Sequence, residues 1–181
     1  MKILIRIIIG LAVVIVGIFA IAATRPNTYT VERSLKINAA PEKIFPYLIS
    51  WKKGLEWSAW EKTDKDVVRK FTGPESGLGA VYEFEGKKAG HGILSIKSLV
   101  PNDNVKIDLT FYEPMQGSND ITYSLKKEGN ETVMKYHMTG PAPITARVIW
   151  LFSDMDKFMG DKFIDSMQSL KSIVEEKPPT N

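Results

Sequence analysis

The period of the apolar residues changes once along this chain, and that change limits what it can fold into. Over 145–175, Val148, Phe152, Met155, Met159, Phe163, Met167, Leu170 and Val174 recur at steps of three and four. This spacing predicts one long helix with a single apolar stripe. Before it, six segments read as strands: 67–71, 80–85, 92–100, 105–111, 120–127 and 132–138. Turn signals such as the Gly-Pro-Glu-Ser-Gly run at 73–77 separate them, and connections this short predict a consecutive antiparallel meander. Pro141 and Pro143 close the sheet, and Pro178 and Pro179 end the helix.

A seventh strand precedes the meander. Tyr29, Val31, Arg33, Leu35 and Ile37 fall on one side of it. A short helix follows, with Asn38 or Ala39 as its N-cap and Ile44, Phe45, Leu48 and Ile49 on one face. Pro46 lies inside it, so the helix is short, kinked or split. A long helix with one apolar stripe must bury that stripe. A strongly curved antiparallel sheet of about seven strands, wrapped around the C-terminal helix, satisfies the pattern: an α+β domain over 29–176 with a 177–181 tail.

The first 25 residues are of another kind. Residues 7–23 carry no charge, and Arg25-Pro26 ends the run. With Ile3 to Ile5 added, about 21 residues are available, enough for a ~30 Å hydrocarbon core at 1.5 Å per residue. The reading is a single-pass anchor with Ile7, Leu11, Val14 and Ile18 in lipid, followed by a linker at 26–28. Lys2 and Arg6 favour a cytoplasmic N-terminus and a body on the far, periplasmic side. The competing reading is a cleaved signal, with Ala20-Ile21-Ala22 as the cleavage site and a secreted body.

Charge and composition exclude several classes. The net charge is +3, yet from residue 7 onward 22 basic residues face 21 acidic ones, so no nucleic-acid footprint is present. The chain has no Cys and two His, which excludes disulfides and thiolate chemistry and argues against a metal site. Phosphate-loop, dinucleotide, zinc-protease and serine-hydrolase motifs are absent. No cofactor is expected.

Four stretches carry a family likeness: Val31 through Pro41 to Phe45, Trp57 to Glu61, Thr72 through Gly73-Pro74-Glu75-Ser76-Gly77 to Tyr82, and Phe152 to Lys157. With the order of elements, they resemble a bacterial branch of the START-related helix-grip superfamily, also called SRPBCC or polyketide cyclase/dehydrase-like. The resemblance spans about 29–175. It implies a cavity between sheet and C-terminal helix for a hydrophobic or amphipathic small molecule, such as a lipid or isoprenoid. It does not fix the chemistry, because one fold of this kind hosts carriers, enzymes and co-chaperones.

Candidate cavity residues follow, each with a blander role beside it. Trp51, Trp57 and Trp60 form either a ligand-contacting rim or a plug over the sheet. Tyr82, Phe84 and Phe111 give an aromatic inner face, with Glu83 and Glu85 then solvated. In the opposite register those carboxylates would be buried general bases. His91, between Gly90 and Gly92, and His137, beside Tyr136, are either cavity contacts or structural histidines. Met155, Met159 and Phe163 are either core filling or an adaptable cavity wall. The apolar run from Val148 to Phe152 suggests a buried helix start or a membrane contact, with Trp150 at headgroup level. The leading expectation is a membrane-anchored ligand-binding domain. The alternatives are a partner-binding or chaperone-like module with a filled cavity, and a cyclase- or dehydrase-type enzyme. Oligomeric state is left open.

Overall fold

The structure, a computed structural model, describes residues 2–114 and 116–175. The expected helix stop at Pro178-Pro179 and the tail at 177–181 lie outside the described residues. The chain divides into two compact units, one of 2–29 and 141–155 and one of 30–140 and 156–175.

The larger unit is a helix grip. A seven-stranded curved antiparallel sheet runs in the order β1-β7-β6-β5-β4-β3-β2. Its strands are β1 (Thr28–Ile37), β2 (Val68–Thr72), β3 (Val81–Gly86), β4 (Gly90–Val100), β5 (Asn104–Glu113), β6 (Gly117–Glu128) and β7 (Glu131–Pro141). Neighbours from β2 to β7 are consecutive hairpins, as the turn spacing requires, and most strands extend the predicted ranges by one to three residues. Alternation sets the faces. In β6, Ile121, Tyr123 and Leu125 are buried, and in β7 Thr132, Met134, Tyr136 and Met138 are. The buried positions of α5 (Met155–Glu175) complete the core: Met159, Gly160, Phe163, Ser166, Met167, Leu170 and Val174.

Between β1 and β2 lie two helices, α2 (Pro41–Leu48) and α3 (Trp51–Trp57). The N-cap of α2 is Ala40, with no side-chain cap, in place of the expected Asn38 or Ala39. Pro41 at the first helical position supplies the start instead, since its φ is already helical. Pro46 is accommodated within α2, and the chain breaks at Ile49-Ser50 before α3. The Trp-rich segment therefore begins as a helix rather than a connector.

In the smaller unit, α1 (Lys2–Ala23) contains one stretch, Ile3–Ala23, long and apolar enough to cross a membrane. Here the expected single C-terminal helix is corrected. Residues 144–150 form α4 (Ile144–Trp150), and the helix breaks over 151–154 before α5. Ser153 and Asp154 sit in the break, and the Ser153 hydroxyl donates to the Ile149 carbonyl at 3.1 Å. Such side chains compete with the helical ladder. The regular 3–4 spacing through Phe152 was thus not one stripe: Phe152 is 76% exposed.

Candidate functional site

The centre of the grip is a column of rings. Trp57 meets Tyr123 edge-on at 5.7 Å, Tyr123 meets Tyr136 edge-on at 4.7 Å, and Tyr136 stacks on Phe163 at 3.7 Å. All four rings are buried. The Trp57 indole donates to the Tyr47 carbonyl at 3.1 Å. Burial pushes the Tyr123 and Tyr136 hydroxyls up in pKa, so they stay protonated. At this level the space between β6, β7 and α5 is filled by side chains.

A strap runs from the end of α3 across the concave face toward β3. The Ala59 N–H donates to Ser166 Oγ at 2.9 Å, and that hydroxyl donates to the Lys162 carbonyl at 2.8 Å. Glu61 accepts from Tyr82 Oη at 2.8 Å and pairs with Arg69 through Nε and Nη2, each at 2.8 Å. Burial, then the Glu61 bond, raises the Tyr82 hydroxyl well above its ordinary value. Buried Asp64 accepts from the backbone N–H groups of Lys88, Ala89 and Asp66, clipping the strap to the β3–β4 turn. Those N–H groups, Lys88 first, hold its carboxyl below the usual range. Gly86 must lack a side chain here, because a Cβ would lie 2.6 Å from Asp64 and 2.7 Å from Val67.

Beside the strap the rings continue toward the open edge of the sheet. Phe111 meets Phe84 at 5.9 Å, Phe84 meets Tyr82 at 6.0 Å, and Tyr82 meets Phe71 in a stack at 5.2 Å and Trp51 at 6.0 Å. The row ends at a cavity of about 220 Å³. Trp51, Lys52, Phe71, Val81 and the loop from Thr72 to Glu75 line it. The loop is held by the Gly77 N–H on the Ile49 carbonyl, at 2.8 Å, and by a Lys52–Glu75 pair at 3.1 Å. Gly73 turns with φ +77, and a Cβ there would sit 2.4 Å from the Gly79 carbonyl oxygen. The Trp51 indole nitrogen is buried without a hydrogen-bond partner among the described residues.

This geometry redistributes the sequence candidates. Tyr82, Phe84 and Phe111 share the concave face, and Tyr82 lies directly behind the cavity. Trp57, Met159 and Phe163 are core. Trp60 is half-buried against Phe158, at 6.2 Å. The placement of His91 and His137 corrects the expectation that they contact the cavity. The register pairs His91 with Glu85 and His137 with Thr122, on the face opposite Tyr82 and Tyr136. Alternation carries every second side chain outward, and both glycines flanking His91 serve the chain rather than a ligand. His91 Nε2 lies 3.2 Å from Glu83 Oε1, and that bond, with Lys70, keeps the Glu83 carboxyl below its usual range. Glu83 and Glu85 are therefore outward carboxylates, not buried bases. Met155 belongs to the smaller unit and is half-buried. Of the cavity walls, Trp51 belongs to the expected Trp rim, while Phe71 and the loop from Thr72 to Glu75 were missed as a site. The signal was present, since the Gly-Pro-Glu-Ser-Gly run and the Trp cluster both stood out. Among the described residues no group of three or more His, Asp or Glu could hold a metal.

No known family profile matches the chain, and no curated protein matches it. Solved structures do. A Mesorhizobium loti protein superposes with a TM-score of 0.62 at 14% identity, over 83% of this chain and 99% of its own. The Aha1 dimer from Colwellia psychrerythraea gives 0.59 at 18%, over 82% and 97%. Ara h 8.0201 gives 0.57 at 12%, over 83% and 99%. At these identities the likeness shows the helix-grip fold.

Proposed function

We propose that this chain is a membrane-tethered helix-grip domain that binds a hydrophobic or amphipathic small molecule in the cavity beside Trp51 and Phe71. The observation that carries the reading is the cavity itself, walled on one side by the rings of Trp51 and Phe71. Aromatic walls reward an apolar ring or chain end by burial. Lys52 and Glu75, both exposed, would meet a polar group at the rim. At about 220 Å³ the cavity is below the usual range for a drug-sized ligand. It suits a single ring or the end of an isoprenoid or acyl chain, not a whole lipid. Only residues 24–27 separate α1 from β1. With α1 as an anchor and the N-terminus cytoplasmic, the domain would work within reach of one membrane surface, on the periplasmic side.

The test uses the full chain, purified in a mild detergent and analysed by native mass spectrometry, with solvent extraction of whatever is bound. Phe71→Asp places a charge in the cavity wall at a side chain that is 38% exposed. A stoichiometric small molecule on the wild type, lost in Phe71→Asp, supports the reading. A wild-type chain that stays free of ligand after incubation with membrane extract refutes it. The second reading is a partner-binding module, and the filled ring column at the centre of the grip favours it. A ligand-free wild type would move the assignment there.

A further inference from the structure

We propose that α4 and the turn after it form a collar in the headgroup layer of a bilayer, with Ile149 and Phe152 inserted into lipid. The inference rests on reading α1 as a membrane anchor. The ties it is argued from lie within the smaller unit. Arg147 Nη1 donates to the carbonyls of Ala22, Ala23 and Arg25 at 3.3, 3.4 and 2.9 Å. These are the last carbonyls of α1 and the residues just after it, which a helix end leaves without ladder partners. The last turn of α1 holds no basic residue of its own, so Arg147 supplies the cation that the helix C-terminus favours. A second tie joins the Ala142 N–H to the Asn27 carbonyl at 2.7 Å. Ala22 and Ala146 are both buried, and residues this small let two helices approach closely.

These ties fix where α4 sits along the axis of α1. The 21 residues of Ile3–Ala23 span about 31 Å, the thickness of a ~30 Å hydrocarbon core. Ala22 to Arg25 then fall at the boundary between hydrocarbon and headgroups, and α4 falls there too. Arg25, exposed at that depth, brings a cation that reaches phosphates, while Arg147 is engaged by the α1 carbonyls.

The surface offered at this level is apolar and ordered. Ile149 is 54% exposed and Phe152 76%. The turn is held by the Leu151 N–H on Val148, the Phe152 N–H on Ile149, and the Ser153 hydroxyl on Ile149. Ile149 and Phe152 lie one turn apart beside the end of the apolar α1, and contiguous exposed apolar surface of this kind marks an interaction surface. Continuity with the anchor commits it to the phospholipid of the same bilayer. Trp150, expected at headgroup level, is instead half-buried edge-on against Tyr29 at 5.4 Å. Its role is to brace the collar.

The chain is free of Cys, so single-cysteine variants of the full protein can carry a nitroxide at one position. Val14→Cys, Phe152→Cys, Ser153→Cys and Lys106→Cys would be placed in vesicles of phosphatidylethanolamine and phosphatidylglycerol. Collision with oxygen, which partitions into lipid, is compared with collision with a water-soluble nickel chelate. The oxygen-to-nickel ratio should be highest at 14 and several-fold above the 106 value at both 152 and 153. Ser153→Cys keeps both apolar side chains, and adding Ile149→Asp and Phe152→Asp should return its ratio to the 106 level. A ratio at 152 and 153 equal to that at 106, with 14 still in lipid, overturns the collar and leaves the anchor standing. A wet label at 14 overturns both.

Discussion

Replacing Phe163 by alanine removes the ring that closes the central column. Phe163 is fully buried and stacks face to face on Tyr136 at 3.7 Å, with only 5° between the planes. Truncating a buried Phe costs about 3–5 kcal/mol from lost transfer energy and the cavity left behind. The aromatic pairing accounts for about 0.5–1.5 kcal/mol of what burial alone does not explain. Against a typical domain stability of about 5–15 kcal/mol, this is about a fifth or more. At about 2–4 °C per kcal/mol for a domain of this size, Tm should fall by roughly 6–20 °C. Phe163→Leu keeps most of the volume and loses the plane, so it should cost less than about 1.5 kcal/mol. Urea unfolding of the full chain in lipid nanodiscs, followed by tryptophan emission, reads both values, since Trp57 touches the same column. A loss below about 1.5 kcal/mol for Phe163→Ala would refute the reasoning. It would mean that the ring lines open space and is not packed between the sheet and α5.

Three further outcomes are expected. Gly73→Ala should destabilise by about 1–3 kcal/mol, because φ is +77 and the added Cβ meets a backbone carbonyl that cannot swing away; loop amides at 73–79 should exchange faster, and an unchanged melt would refute this. Asp64 has a folded pKa below its unfolded value of about 3.9, so it stabilises above that value and the contribution is lost as pH falls through the folded pKa. Asp64→Asn should therefore be less stable at pH 7 and show a flatter acid limb in a melt series from pH 7 to 3; an unchanged limb counts against the clip. Arg69→Met should cost about 1.5–3 kcal/mol, the range for a hydrogen bond to a charged group, because it leaves the half-buried Glu61 carboxyl without its guanidinium partner. The double variant with Glu61→Gln should recover part of that loss in thermal unfolding, and strict additivity would argue against the pair.

The sequence was strong where the signal is local. Period-two alternation and the turn runs determined seven strands and the consecutive pairing of the last six, because each hairpin is closed by residues near in the chain, whereas the pairing of β1 with β7 joins distant segments. The same alternation put Tyr82 and Phe84 on one face and Glu83 on the other, and the structure's register agrees. The uncharged run up to Ala23 announced a helix of membrane-spanning length by composition alone. The sequence was weak where distant segments meet. The step pattern through Val148 and Phe152 looked like one helix, and only the Ser153 hydroxyl on Ile149 shows why the helix stops there. His91 and His137 looked like cavity contacts by residue type, while the pairing with β3 and β6 turns both outward. The cavity at Trp51 exists because Gly77 binds Ile49 and the strap binds α5, β3 and the β3–β4 turn. None of those partners is a neighbour in sequence, and a space between side chains is decided by rotamers and long-range hydrogen bonds. Strand faces and the order of the last six strands follow from the chain's own periodicity, whereas filling at Phe163 and opening at Trp51 are properties of the packed whole.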